Sequence, residues 1–291
     1  MHSTNYTVAG HPFRIIHQSA DIDILLPSYT TFKSNLNTAE PIFTITIDDS
    51  MVPSWQGERM GYFPCNAADF EVYRKGESSY QILILNERKV PCAFMQGDEQ
   101  MQNIIVATRG TQQMRSFGLN NAIMLAYTYC AAKHQTLLMH SSVVENGGKA
   151  YMFLGASGRG KSTHSDLWVK HITGSTLIND DNPVMRIAPD GTPTVYGSPW
   201  SGKRPIYKNV HYPIGGLTAI EQSKNNSMHR ESIPSAFGIL LSSCSTMKFD
   251  KQIHLLNCGT ITKMLEKLPV YTLSCRPDEE AARVSSSTLG L

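Results

Sequence analysis

The chain has little of what marks several large protein classes. Its six cysteines, at 65, 92, 130, 244, 258 and 275, form no C-x-x-C pair and follow no regular spacing. That scatter argues against a zinc site or a disulfide framework and suits reduced, mostly buried thiols in the cytoplasm. No basic run is present, and the formal charge is only +2, from 26 Lys and Arg against 24 Asp and Glu; no nucleic-acid partner is expected. No apolar run approaches the length of a membrane span, and the opening MHSTNYTVAGHPFRI lacks the basic-then-apolar order of a signal peptide. Internal repeats and low-complexity segments are missing too. These absences predict a soluble, cytoplasmic protein with no membrane contact.

What is present is enough for a sizeable core. The 291 residues are 41% hydrophobic and 17% charged, which reads as one large or two modest globular domains. Residues 1–110 carry short β-type runs, Phe13 to His17, Asp21 to Leu26, Ile42 to Ile47, Tyr80 to Leu85 and Ile104 to Ala107, separated by turn clusters. They predict a β-rich N-terminal unit whose role the residues do not disclose. Residues 115–133 are apolar on most faces and predict a long buried helix. The second unit, 111–291, holds all the residues with an evident chemistry.

Its centre is Gly155-Ala156-Ser157-Gly158-Arg159-Gly160-Lys161-Ser162-Thr163, a full G-x-x-x-x-G-K-[ST] phosphate loop. Glycines let the backbone turn tightly with N–H groups pointing inward, Lys161 adds a charge for the outer phosphates, and the Ser162 hydroxyl suits Mg²⁺. Such a loop needs a strand before it and a helix after it. AYMFL precedes, and SDLWVKHI follows with Leu167, Trp168 and His171 or Ile172 at helical spacing. A nucleotide is therefore the predicted ligand, held by residues 155–163.

Two flanking stretches sharpen this reading. The runs 137–144 and 149–154 are joined by Asn146-Gly147-Gly148, a hairpin signal. Antiparallel pairing about that turn puts His140 across from Phe153 to Gly155, beside the entrance of the loop, where an imidazole can donate to phosphate or handle a proton. After the loop helix, Ser175-Thr-Leu-Ile-Asn-Asp180-Asp181 reads as a strand ending in two acids, with Asp180 only 19 positions beyond Lys161. One carboxylate can serve Mg²⁺ while the other accepts the proton of an attacking hydroxyl. Adjacent strand residues face opposite ways, so both acids can share a site only if the backbone turns there. Held together, their repulsion would raise one pKa, as suits a base. The later Gly197-Ser-Pro-Trp-Ser-Gly-Lys203-Arg204 is either a cationic loop that closes over phosphates or a surface loop with a packed Trp200.

The segments M-H-S-S-V-V-E, G-A-S-G-R-G-K-S-T and L-I-N-D-D, in that order and at those intervals, resemble the core of the HPr kinase/phosphorylase family and, more distantly, ATP-dependent phosphoenolpyruvate carboxykinase. The ending P-V-Y-T-L-S-C-R-P-D-E-E-A is similar to the C-terminal part of HPr-kinase-related proteins, so the resemblance covers about residues 130–285. It implies an α/β fold with a mixed-sheet carboxykinase-like core and phosphoryl transfer from ATP with Mg²⁺. It implies catalytic roles for Lys161, for His140 as the active-site imidazole, and for Asp180 as the base towards an acceptor hydroxyl; Ser162 and Asp181 would serve the metal. The acceptor would be a hydroxyl-bearing protein, peptide or small molecule, and homo-oligomerisation is left open. The long signature stretch of the bifunctional enzymes has no counterpart here; GSPWSGKR stands in its place.

Overall fold

A computed structural model describes residues 1–18, 22–35, 40–65, 68–76, 79–202, 204–247 and 249–291. The chain is mixed α/β, with two mixed sheets and few helices. It divides into two compact units, residues 1–131 with 247–251, and residues 132–246 with 252–291. The pattern of the sequence puts the boundary near residue 110, whereas the units divide at Ala131 and Ala132.

In the first unit, strands β1 (His2–Val8), β2 (His11–His17), β3 (Thr44–Ile47), β4 (Glu58–Pro64), β5 (Ala68–Lys75), β6 (Ser79–Asn86), β7 (Pro91–Gly97) and β8 (Asn103–Thr108) form one sheet in the order β1-β2-β3-β8-β7-β6-β5-β4. The β2–β3 and β3–β8 pairs are parallel and the rest antiparallel. Helix α1 (Gln112–Ala132) belongs to this unit except for its last residue. At Gly118 an added Cβ would come within 2.6 Å of the Cys92 carbonyl on β7, so a glycine there lets the helix lie close against the sheet. The expected strand Asp21 to Leu26 is not one. Asp21 lies outside the described residues, and Ile22–Ile24 is a 3-10 turn. Ile22, Leu25 and Leu26 are buried, an i, i+3, i+4 spacing that competes with the short polar-apolar alternation and wins.

The second unit contains β9 (Thr136–Met139), β10 (Ser141–Asn146), β11 (Lys149–Leu154), α2 (Lys161–His171), β12 (Thr176–Asp181), β13 (Val184–Ile187), β14 (Pro193–Tyr196), β15 (His211–Gln222), β16 (Ser227–Arg230), α3 (Ile233–Ser243), β17 (Cys244–Ser245), α4 (Lys251–Leu265, its first residue counted with the other unit), β18 (Val270–Cys275) and α5 (Glu279–Thr288). Its strands run β12-β10-β11-β15-β14-β13-β9-β17, with β18 on β15 and β16 on β18. The long β15 pairs antiparallel with β14 through His211 to Pro213, then parallel with β11 from Ile214 onward and with β18 from Leu217.

The predicted hairpin is present with the predicted register. Ser141 opposes Leu154 and Asn146 opposes Lys149. Gly147 and Gly148 have φ of 58° and 77°, the positive values that a two-residue turn matched to strand twist requires. One difference matters. The run 137–144 is two strands, interrupted at His140, whose N–H donates to the Ser243 carbonyl.

Both faces of this sheet are covered, which explains why its strands read as continuous apolar runs. Val143, Met152, Leu154, Leu217 and Val270 join one core cluster with Leu240 of α3 and Ile261 and Met264 of α4. Their neighbours Val144, Tyr151, Phe153, Ile220 and Leu273 join another with Trp168 of α2 and Ala281 and Ala282 of α5. The loop between β11 and α2 is thus anchored at both ends by buried elements.

Candidate active site around the phosphate loop

The loop begins where β11 leaves the sheet. Gly155, Gly158 and Gly160 have φ of 141°, 80° and 103°, and Gly160 is the left-handed cap from which α2 starts. Side chains are disfavoured at such angles, so the spacing of the glycines is dictated by the backbone path. Ala156, Ser157, Gly158 and Arg159 are exposed, as is Thr163, whereas Lys161 is buried. The strand before the loop and the helix after it are present as expected.

The helix differs in detail from its sequence reading. Its buried residues are Lys161, His164, Ser165 and Trp168, with Leu167 only half-buried. Besides Lys161, two of these are polar, and each has a partner: His164 Nε2 pairs with Ser285 Oγ at 3.0 Å, and Ser165 donates to Ser142 Oγ at 2.6 Å. A period count that scores only apolar residues passes over them.

Lys161 uses every donor it has. Its Nζ donates to His140 Nε2 at 2.9 Å, to the Gly155 carbonyl at 2.9 Å and to the Ala156 carbonyl at 3.2 Å. Burial pushes its ammonium below the usual range, opposed by Asp181 and Asp180. Since Nε2 accepts, a neutral His140 ring carries its proton on Nδ1, which faces Asp181 Oδ1 at 3.0 Å. The result is a chain from Lys161 through His140 to Asp181.

Ser162 makes the second link, donating to Asp180 Oδ1 at 2.9 Å. Asp180 also accepts from Ser142, its cross-strand neighbour, and from Arg204 Nε at 2.7 Å. Burial alone would raise the carboxyl, but Arg204, Ser142 and Ser162 together hold it below the usual carboxylate range. The expectation that mutual repulsion would raise one pKa therefore does not hold for Asp180: bonds to the charged form outweigh its burial. Asp180 is only 7% exposed.

The two acids meet around the loop because of the backbone at Asp181. Its φ is 150°, a conformation that residues with a side chain rarely adopt and that costs about 1–3 kcal/mol. A regular strand would send the two carboxylates to opposite faces. With the turn, Asp180 reaches Ser162 and Asp181 reaches His140.

Residues 198–202 and Arg204 contact this acidic strand. Gly202 N–H donates to the Asp180 carbonyl at 2.8 Å, Ser201 bridges to Asp181, and Asn179 Nδ2 donates to Ser198 Oγ at 3.2 Å and to the Trp200 carbonyl at 3.3 Å. Trp200 is buried. Lys203 lies outside the described residues. Ser142 and Asp166 were not singled out from the sequence; Ser142 sits two positions after His140, and the hairpin register that placed the histidine also sets the serine opposite Phe153.

Oxygen donors suited to Mg²⁺ are present in the Ser162 hydroxyl and the two carboxylates. Among the described residues no group of three His, Cys, Asp or Glu side chains could hold a metal ion. No helix among the described residues is long and apolar enough to cross a membrane. Neither a protein-family model nor a curated protein sequence matches the chain.

Proposed function

We infer that the chain is an ATP- and Mg²⁺-dependent phosphotransferase that moves the γ-phosphoryl group to a hydroxyl, a serine of a protein or peptide or free serine, and that its second unit is a carboxykinase-like core. One observation carries this reading. The lysine and serine of a phosphate loop are linked to two adjacent carboxylates, Ser162 directly to Asp180 and Lys161 through His140 to Asp181. A loop alone speaks only for phosphate binding; carboxylates at its mouth supply what transfer to an alcohol needs.

In this reading the exposed turn Ala156 to Arg159 and the α2 N-terminus cradle the phosphates, and Lys161 leaves its carbonyls to neutralise the transferred group. Ser162 and Asp181 would hold Mg²⁺, which when bound neutralises charge on the β- and γ-oxygens. Asp180 accepts the hydroxyl proton. His140 orients Asp181 on one side and Lys161 on the other.

A second reading, a nucleotide-binding regulatory module without catalysis, is favoured by the lowered pKa of Asp180, since a strongly hydrogen-bonded carboxylate is a poor base. Labelled ATP incubated with a cell lysate and, separately, with free serine distinguishes them. Asp180→Asn should still bind ATP and lose transfer by about 10²-fold or more. Undiminished turnover would remove Asp180 from its role, and tight Mg²⁺-dependent binding without transfer to any acceptor would favour the regulatory module.

A further inference from the structure

The Arg204 guanidinium joins two carboxylates. Nε donates to Asp180 Oδ2 at 2.7 Å and Nη1 donates to Asp166 Oδ1 on the outer face of α2. Its remaining nitrogen, Nη2, is buried and has no hydrogen-bond partner among the described residues. Asp180 Oδ1 is meanwhile taken by Ser162. The carboxylate is therefore held on both oxygens, by the loop helix on one side and by the segment ending at Arg204 on the other.

That segment is built to hold a position. At Gly202 an added Cβ would stand 3.2 Å from the Asp180 carbonyl and 3.2 Å from Asp181 Cβ, so its backbone touches both acids. Ser201 Oγ donates to the Arg204 carbonyl, and Ser198 Oγ donates to the Asn182 carbonyl at 2.6 Å, tying both ends down. Buried Trp200 lies between them.

We propose that Arg204 is a positioning residue for phosphoryl transfer, acting through Asp180: its fork sets the carboxylate's orientation beside Ser162 and braces it against α2 through Asp166. The proposal rests on the kinase reading for its consequence in turnover, though not for the contact itself. Held this way, Asp180 meets the acceptor hydroxyl in a fixed orientation, and a misplacement of about 1 Å can cost about 10²-fold. A lysine carries the charge but not the planar fork, so it cannot bridge both carboxylates in the same geometry.

The test compares Arg204→Gln, Arg204→Lys and Asp166→Asn with the unaltered full chain in two measurements. The first is transfer from γ-labelled ATP to L-serine and to water, separated into kcat and KM, with direct MgATP titration. The second is Mn²⁺ binding without nucleotide, followed by electron paramagnetic resonance. Arg204→Gln should lower kcat about 10²-fold with ATP affinity unchanged, and should tighten Mn²⁺ binding roughly tenfold, because a unit positive charge has left the carboxylates. Arg204→Lys should keep the Mn²⁺ affinity and recover only part of kcat. Asp166→Asn alters a carboxylate that is 62% exposed; it keeps the fold accessible if Arg204→Gln does not fold, and should lower kcat without moving KM. An unchanged kcat in these variants, or a loss that follows ATP affinity instead, overturns the proposal. If the unaltered chain transfers phosphate to nothing, the kinase reading fails, and the Mn²⁺ titration alone decides the Arg204 contact: tighter binding in Arg204→Gln upholds the pairing with Asp180, and unchanged binding refutes it.

Discussion

Several polar side chains of the second unit are held out of water, among them Lys161, His164, Ser165 and Asp180. His164 is an informative one, buried in α2 between Phe153 and Ser285. Burial pushes its pKa down to about 4, against about 6.5 in an unfolded chain. The unfolded chain then binds more protons between those values, so stability is complete above about pH 6.5 and falls as pH drops towards 4. The loss should reach about 2 kcal/mol by pH 5. Thermal unfolding at pH 7 and pH 5 measures it, and His164→Gln should flatten the difference. A chain whose melting is equally pH-sensitive without the imidazole would locate the effect elsewhere. Spacing and hairpin register report on backbone position, so sequence reading could place Lys161, Ser162, His140 and both acids close together, as they are. The lowered Asp180 pKa was not legible. It depends on Arg204, 24 positions further along, and on Ser142, and neither contact follows from a local pattern.

Elements show the same division. The β10–β11 hairpin, the loop helix and the strand of acids could all be read from turn residues and periodicity. Strands β1, β4, β5 and β7 were not singled out. The α2–α5 packing was equally hidden, because serine is its centre. Ser285 Oγ receives Trp168 Nε1 at 2.8 Å and pairs with His164 Nε2 at 3.0 Å. Ser285→Ala should leave both buried ring nitrogens without that partner, at about 1–3 kcal/mol each. Denaturant titration should show the fall in midpoint; Ser286→Ala, whose hydroxyl bonds only within its own helix turn at Arg283, should show much less. Equal effects would mean that the pairing contributes nothing beyond helix propensity.

At the scale of the whole chain, composition was a sound guide to the cysteines. None is in a disulfide; Cys92, Cys130, Cys244 and Cys275 are buried, Cys258 is half-buried and Cys65 is exposed. Burial raises the Cys244 thiol to about 12 and the Cys275 thiol to about 11. Thiolate is the reactive species, so native protein treated with a disulfide reagent at pH 8 should release one thiol equivalent quickly, from Cys65, and all six after denaturation. A fast phase larger than Cys65 and Cys258 can supply would contradict the packing around the other four. Domain division was less legible: the Asp250 carboxylate accepts from Tyr80 Oη at 2.9 Å, and residues 247–251 join the first unit although they follow α3 of the second. No linker composition marks such an excursion.

Lys161 has no idle proton: His140 and two carbonyls of its own loop occupy all three. An entering anion must therefore replace several bonds at once before it gains the charge. An anion with one centre replaces few of those bonds and one with several oxygens replaces more, so competition for the ammonium turns on how many acceptor atoms an anion carries.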